Sequence, residues 1–100
     1  MIETKYSSSL NKETLIDDLI RLTNQIWKLI PMKENNEDWG SHLDKVISEI
    51  SGLYEILSLD ALILLSKLEG LKYNNLNFST YRRIVFRCIS ILNKVLSRYE

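Results

Sequence analysis

Residues 39–57, WGSHLDKVISEISGLYEIL, contain the clearest helical pattern of the chain. The large apolar residues of this stretch recur at alternating spacings of four and three; they are Trp39, Leu43, Val46, Ile50, Leu53 and Leu57. Residues spaced in this way lie on one face of an α-helix, so the pattern predicts an amphipathic helix that buries one stripe. Residues 32–38 form a polar connection before it, and Asn35 or Asn36 is predicted to cap the helix.

The same spacing predicts three further helices. The first helix is expected to begin after an N-cap at Asn11 and to stop at Pro31. The third is expected to open near residues 58–60 and to end with Gly70 at its C′ position, and Ser79 is expected to cap the last. Their apolar stripes are Leu15, Leu19, Leu22, Ile26 and Leu29 in the first helix, Leu62, Leu65 and Leu68 in the third, and Tyr81, Val85, Cys88, Leu92, Val95 and Tyr99 in the last.

Length and composition favour one all-α domain. A chain of 100 residues normally builds a single core, and three glycines with one proline are few for a β-sandwich or a dinucleotide-binding fold. Helices joined by short loops predict an antiparallel four-helix bundle over residues 11–100, preceded by a flexible N-terminal arm, residues 1–10. The predicted common core contains Leu19, Ile26, Val46, Ile50, Leu65, Val85 and Leu92.

Nothing in the sequence predicts export or membrane insertion. Residues 1–13 hold no apolar segment typical of a secretory signal. The longest apolar run, Ala61–Leu65, is far shorter than the ~20 residues that span a bilayer. The cytoplasm is therefore the expected location.

The residue types needed for most catalysis are scarce. His42 is the only histidine and Cys88 the only cysteine, which excludes an intramolecular disulfide and the common zinc motifs. Asp38 and His42 lie one helical turn apart, where capping or solvation is more common than metal binding. Cys88 falls on the predicted core stripe and is expected to be inert. We therefore predict a protein that is not an enzyme, with no catalytic residue, no metal and no cofactor.

Charge is divided unevenly along a chain whose net charge is zero. Residues 70–99 contain six basic and no acidic residues, so this part carries +6 and the remainder −6. Four of the six, Arg83, Arg87, Lys94 and Arg98, are predicted to fall within about 60° of one another on the last helix, opposite its apolar stripe. Such a surface favours an acidic partner, either protein or nucleic acid. The alternative is a solvated face that the acidic helices partly neutralise.

Two groups of residues are the candidate partner-binding surfaces. Phe86 projects beside the arginines, as an aromatic anchor of an interface does, unless the N-terminal arm or the third helix covers it. The predicted primary surface is Arg82, Arg83, Phe86, Arg87, Lys94 and Arg98. The secondary surface is the wide apolar arc of the first helix, Ile16, Ile20 and Trp27, which otherwise contacts two neighbouring helices.

The segment Asn75-Leu76-Asn77-Phe78-Ser79-Thr80-Tyr81, at the entry to the last helix, resembles the immunity proteins of pediocin-like (class IIa) bacteriocins. The chain length and the number of predicted helices are also similar to those of that family. The resemblance implies a small cytoplasmic antiparallel four-helix bundle that protects its producer without catalysis, through contacts with a toxin-bound membrane receptor. The zero net charge departs from the family, many of whose members are basic.

The sequence thus predicts a small protein that binds another protein, of immunity, antitoxin or inhibitor type. The partner is expected to be a toxin, a receptor or an effector, and the many Ile, Asn and Lys residues suit a bacterial or phage genome. One alternative is a nucleic-acid-associated regulator that uses the basic last helix. Another is a helical subunit or adaptor of a larger assembly. The sequence does not predict an oligomeric state.

Overall fold

In a computed structural model, which describes residues 12–73 and 75–99, the chain is all-α. The helices of the described residues are α1 (Lys12–Trp27), α2 (Leu29–Glu34), α3 (Trp39–Gly52), α4 (Tyr54–Leu57), α5 (Leu59–Tyr73) and α6 (Phe78–Ser97). Those two ranges contain no strand, which confirms the predicted class. The predicted arm, residues 1–10, and the predicted cap Asn11 lie outside the described residues.

Four long helices pack side by side around the core. α1 packs against α3 and α6, α5 also packs against α3 and α6, and the short α2 contacts α1, α3 and α6. Several side-chain and ring contacts join the long helices. These contacts are Gln25 with His42 across α1 and α3, Asp44 with Lys72 across α3 and α5, Asp60 with Arg98 across α5 and α6, and Trp27 with Phe86 across α1 and α6.

The apolar stripes predicted for α1, α3–α4 and α6 form the core. Leu19, Ile26, Ile50, Val85 and Leu92 are fully buried, and Val46 is almost so. Two residues of the predicted stripes, Trp39 and Tyr99, are only partly buried at its edge. The polar residues on the other side of these helices leave one face to bury, so the spacing alone selects it.

The prediction for α5 is correct for Leu68, which is fully buried, and wrong for Leu62 and Leu65. Its buried residues are Ala61, Leu64, Leu68 and Leu71, whereas Leu62 is 48% exposed and Leu65 only partly buried. Apolar residues occur on every side of α5, so periodicity does not select a face. The neighbouring α3 and α6 decide which side is buried.

Pro31 does not stop the first helical segment. The chain turns at Lys28 and continues as α2 to Glu34, with Pro31 in its first turn, where the missing N–H is not needed for the helix. The segment ends next to Asn36, whose φ of 59° lies in the left-handed region that asparagine tolerates better than most residues.

The predicted caps and ends of the other helices are also corrected. Asp38, rather than Asn35 or Asn36, caps α3, since its carboxylate accepts a hydrogen bond from the Ser41 N–H at 3.2 Å. Asn77, rather than Ser79, caps α6, with its Oδ1 2.8 Å from the Thr80 nitrogen. Asp38 and Asn77 each lie next to the first helical residue, where a side-chain acceptor reaches the free N–H groups.

The third predicted helix also ends later than expected. Gly70 lies inside α5 rather than at its C′ position, and no described glycine has a positive φ. Leu71, which follows it, is buried in the core, and this burial carries the helix on to Tyr73.

Candidate partner-binding site

Four of the basic residues predicted as a binding surface lie on the exposed side of α6, and the fifth, Arg98, is at its C-cap. Arg82, Arg83, Arg87, Lys94 and Arg98 are exposed, and Phe86 is 36% exposed. The buried seam through Val85 and Leu92 holds α6 with this side outward. The Asn77 cap, one residue before Phe78, determines where the helix starts and therefore where each arginine points.

Phe86 contacts an aromatic ring of α1. The ring centroids of Trp27 and Phe86 are 5.2 Å apart with the planes at 72°, an edge-to-face pair. The guanidinium carbon of Arg82 lies 5.2 Å from the centroid of the Phe86 ring, close enough for a cation–π interaction. The tertiary structure therefore joins the two candidate surfaces, which belong to helices far apart in the sequence, along one groove.

The α1 side of this groove is apolar. Ile20 and Trp27 are 43% and 44% exposed and lie two turns apart on the same face of α1. Ile16, the third residue of the predicted arc, is partly buried against the core and contributes less to the surface. We call the combined surface the α1–α6 face; it consists of Ile20, Trp27, Arg82, Arg83, Phe86, Arg87 and Lys94.

Most of the basic charge on this surface is not neutralised within the part of the chain that the structure describes. Over residues 12–73 and 75–99, Arg82, Arg83 and Arg87 form no ion pair with a carboxylate. Arg98 differs, since its Nη1 lies 3.0 Å from Oδ2 of Asp60 on α5. This ion pair turns Arg98 toward α5 and separates it from the α1–α6 face.

The candidate metal and nucleophilic residues have structural roles. His42 Nε2 lies 2.7 Å from the carbonyl oxygen of Gln25, so the N–H at Nε2 donates a hydrogen bond that joins α3 to α1. Asp38 caps α3, and hydrogen bonds from Ser41 lower the pKa of its carboxyl group. Among the described residues no group of three or more potential ligands is arranged to hold a metal ion. Cys88 is fully buried, and burial raises the pKa of its thiol to about 12.

An aromatic cluster that the sequence does not predict lies where α2, α3 and α6 meet. The rings of Trp39 and Tyr81 pair edge to face at 5.2 Å, and the Lys33 ammonium lies 4.8 Å from the first ring centroid and 5.4 Å from the second. The Tyr81 hydroxyl is buried without a hydrogen-bond partner among the described groups, and burial raises the pKa of Tyr81. The cluster packs three helices together at one end of the core.

An exposed apolar surface on α5 is also absent from the sequence-based predictions. We call it the α5 face; it consists of Leu59, Leu62, Ile63, Ser66, Gly70 and Tyr73. Leu59 and Tyr73 are 73% and 76% exposed. The signal in the sequence is that α5 carries more apolar residues than one buried stripe accommodates.

Comparison of the chain with protein-family models, with curated proteins and with solved structures found no match. Within residues 12–73 and 75–99, no helix combines the length and the apolar character needed to cross a membrane.

Proposed function

We propose that this chain is a non-enzymatic protein-binding protein of immunity, antitoxin or inhibitor type. Its α1–α6 face binds an acidic segment of a partner protein that also presents an apolar side chain. The observation that carries the proposal is the Trp27–Phe86 ring pair, which lies beneath the guanidinium of Arg82. Arg83 and Arg87 lie beside it on α6, and neither forms an ion pair with a carboxylate of the described residues. The resemblance of residues 75–81 to bacteriocin immunity proteins favours the immunity type.

We further propose that the architecture is an antiparallel four-helix bundle, in which α1 and α2 together occupy the position of one of the four helices. The cyclic packing order α1, α3, α5, α6 supports it. So do two contacts that join the end of one long helix to the beginning of its neighbour, Gln25 with His42 and Arg98 with Asp60. In this arrangement α1 and α6 are adjacent, and the groove between them is the α1–α6 face.

The aromatic pair supplies the apolar contact. Aromatic side chains and arginines dominate the energy of many interfaces because they bury large surfaces and form directed contacts. Trp27 and Phe86 restrict one another through their edge-to-face contact, so less conformational entropy is lost when a partner covers them. The pair is therefore a preorganised anchor.

The arginines select the partner. Arg82, Arg83 and Arg87 lie within two turns of α6, and a partner carboxylate can form a bidentate pair with a guanidinium. The chain as a whole carries no net charge and its other regions are acidic, which disfavours a long nucleic acid. An acidic protein segment fits this combination of local positive charge and exposed aromatic surface.

Affinity capture from the native cell tests the proposal, with the captured partner then purified and its affinity measured. Phe86→Ala is expected to weaken binding by about 2 kcal/mol, roughly 30-fold, and Arg83→Glu/Arg87→Glu is expected to weaken it as well. Tyr54→Ala is the matched control, because Tyr54 is also a partly exposed aromatic residue but lies outside the α1–α6 face.

Two results would contradict the proposal. One is a partner that binds both variants as tightly as the wild type. The other is a partner that is lost on nuclease treatment and whose affinity falls steeply with salt while Phe86→Ala has little effect, since that pattern is typical of phosphate neutralisation.

A further inference from the structure

The outward side of α5 carries four exposed large apolar residues, although no other helix of the described chain covers it. Leu59 and Tyr73 near its two ends are the most exposed of its large apolar residues, and Leu62 and Ile63, at 48% and 45%, lie between them. Ser66 and Gly70 lie on the same side, and neither places a bulky side chain between the larger residues. This surface is distinct from the α1–α6 face.

We propose that the α5 face binds the α5 face of a second copy of this chain, about a two-fold axis that passes close to Ser66. The four large side chains expose roughly 500 Å² on each copy. Two copies would bury about 1,000 Å², which is near the lower limit for a specific interface. The area therefore matches a weak, reversible homodimer.

The order of residues along α5 is complementary to itself. When two copies of α5 pair antiparallel about such an axis, a residue a given number of positions before Ser66 in one copy lies opposite the residue the same number of positions after Ser66 in the other. Leu59, seven residues before Ser66, therefore contacts Tyr73 of the other copy, seven residues after it. Gly70, four after it, lies at the level of Leu62 and next to Ile63 of the other copy, so bulky side chains face a residue that has none. Small central residues let two helices approach closely.

The charges around the α5 face also suit a second copy. The flanking residues are two acidic and two basic, Asp60, Glu69, Lys67 and Lys72. Two of them are already neutralised within the chain, Asp60 by Arg98 and Lys72 by Asp44. The charges of the residues that flank the α5 face therefore cancel, and they do not repel an identical surface on a second copy. A lipid surface or a nucleic acid would instead require a basic margin.

Sedimentation equilibrium of the full chain tests the proposal. The mass is expected to rise from that of a monomer at about 1 µM to that of a dimer at a few hundred µM, as a small interface predicts. Ile63→Glu is expected to weaken dimerisation at least about 10-fold, because it places a carboxylate in an apolar contact. Ile20→Glu is the matched control, since this isoleucine is 43% exposed in the middle of α1 and its change should leave the dimer intact.

Disulfide trapping tests the position of the axis. Helix axes 8–10 Å apart bring the central Cα atoms to about 3.4–5.4 Å, which overlaps the range that a disulfide spans. Ser66→Cys is therefore expected to form a covalent dimer under mild oxidation much faster than Ser48→Cys, an exposed position on α3. The native Cys88 is buried and does not compete.

Any of three results would overturn the proposal. The first is a monomer at every concentration, and the second is a dimer that Ile63→Glu leaves as stable as the wild type. The third is equal crosslinking rates at positions 66 and 48. Circular dichroism of each variant checks that the helices are retained, and the matched control reports whether a charged residue at any half-exposed site has the same effect.

Discussion

Replacing Leu64 by alanine should destabilise the protein far more than the same change at Leu62. Leu64 is fully buried between α3 and α6, whereas Leu62 is 48% exposed on the outward side of the same helix. Both variants lose the same atoms at neighbouring interior positions of α5, so helix propensity changes equally in the two. The difference between them reports packing alone.

The magnitude follows from burial. Truncating a fully buried leucine removes its transfer free energy and leaves a cavity, so Leu64→Ala is expected to cost about 3 kcal/mol. Leu62 borders no closed cavity and buries only half of its surface, so its truncation should cost about 1 kcal/mol or less. A difference of about 2 kcal/mol corresponds to about 8–16 °C in Tm for a domain of this size.

Urea and thermal unfolding, followed by far-ultraviolet circular dichroism, measure this difference. The samples are kept near 1 µM, because the proposed dimer would otherwise add to the stability. Equal losses of stability at the two positions, or a larger loss at Leu62, would contradict this prediction. Such a result would place Leu62 in the core and remove the α5 face.

Three further predictions follow from local geometry. Tyr81→Phe should leave stability unchanged or raise it by about 1 kcal/mol in thermal unfolding, because it removes a buried hydroxyl without a described partner; a loss above about 1 kcal/mol would reveal a hydrogen bond. Ser58→Gly should raise stability by about 1 kcal/mol, since Ser58 has a φ of 53°, while Ser48→Gly inside α3 should lower it; equal signs would contradict this. Asp38→Ala should lower the Tm more than Asn35→Ala, because Asp38 caps α3. The pKa of Asp38 in the folded protein lies below its ordinary value of 3.8, so the stabilisation by this carboxylate is present above pH 3.8 and is lost as the pH falls through the pKa of the folded state.

The helices themselves could be predicted because their patterns are local. The polar residues of α1, α3 and α6 occupy one side, so the alternation of four and three selects the buried stripe. The caps were harder to predict, because several Asn, Asp and Ser residues compete at each boundary. Asp38 and Asn77 prevail because each lies next to the first helical residue.

The candidate site could be predicted only in part. The exposure of the arginines of α6 follows from the helical wheel, since they lie opposite the seam through Val85 and Leu92. The contact of Phe86 with Trp27 does not follow, because a wheel describes one helix and contains no information about its neighbour. The same limit applies to the ion pair that turns Arg98 toward Asp60.

The all-α class, the buried stripes of three long helices and the basic side of α6 follow from the sequence alone, because each depends on residues within a few turns of one another. The register of α5 and the contact between Trp27 and Phe86 depend on how the helices pack together. An evenly apolar helix has no preferred side until its neighbours bury one. Residues on separate helices meet only where the packing of those helices brings them together.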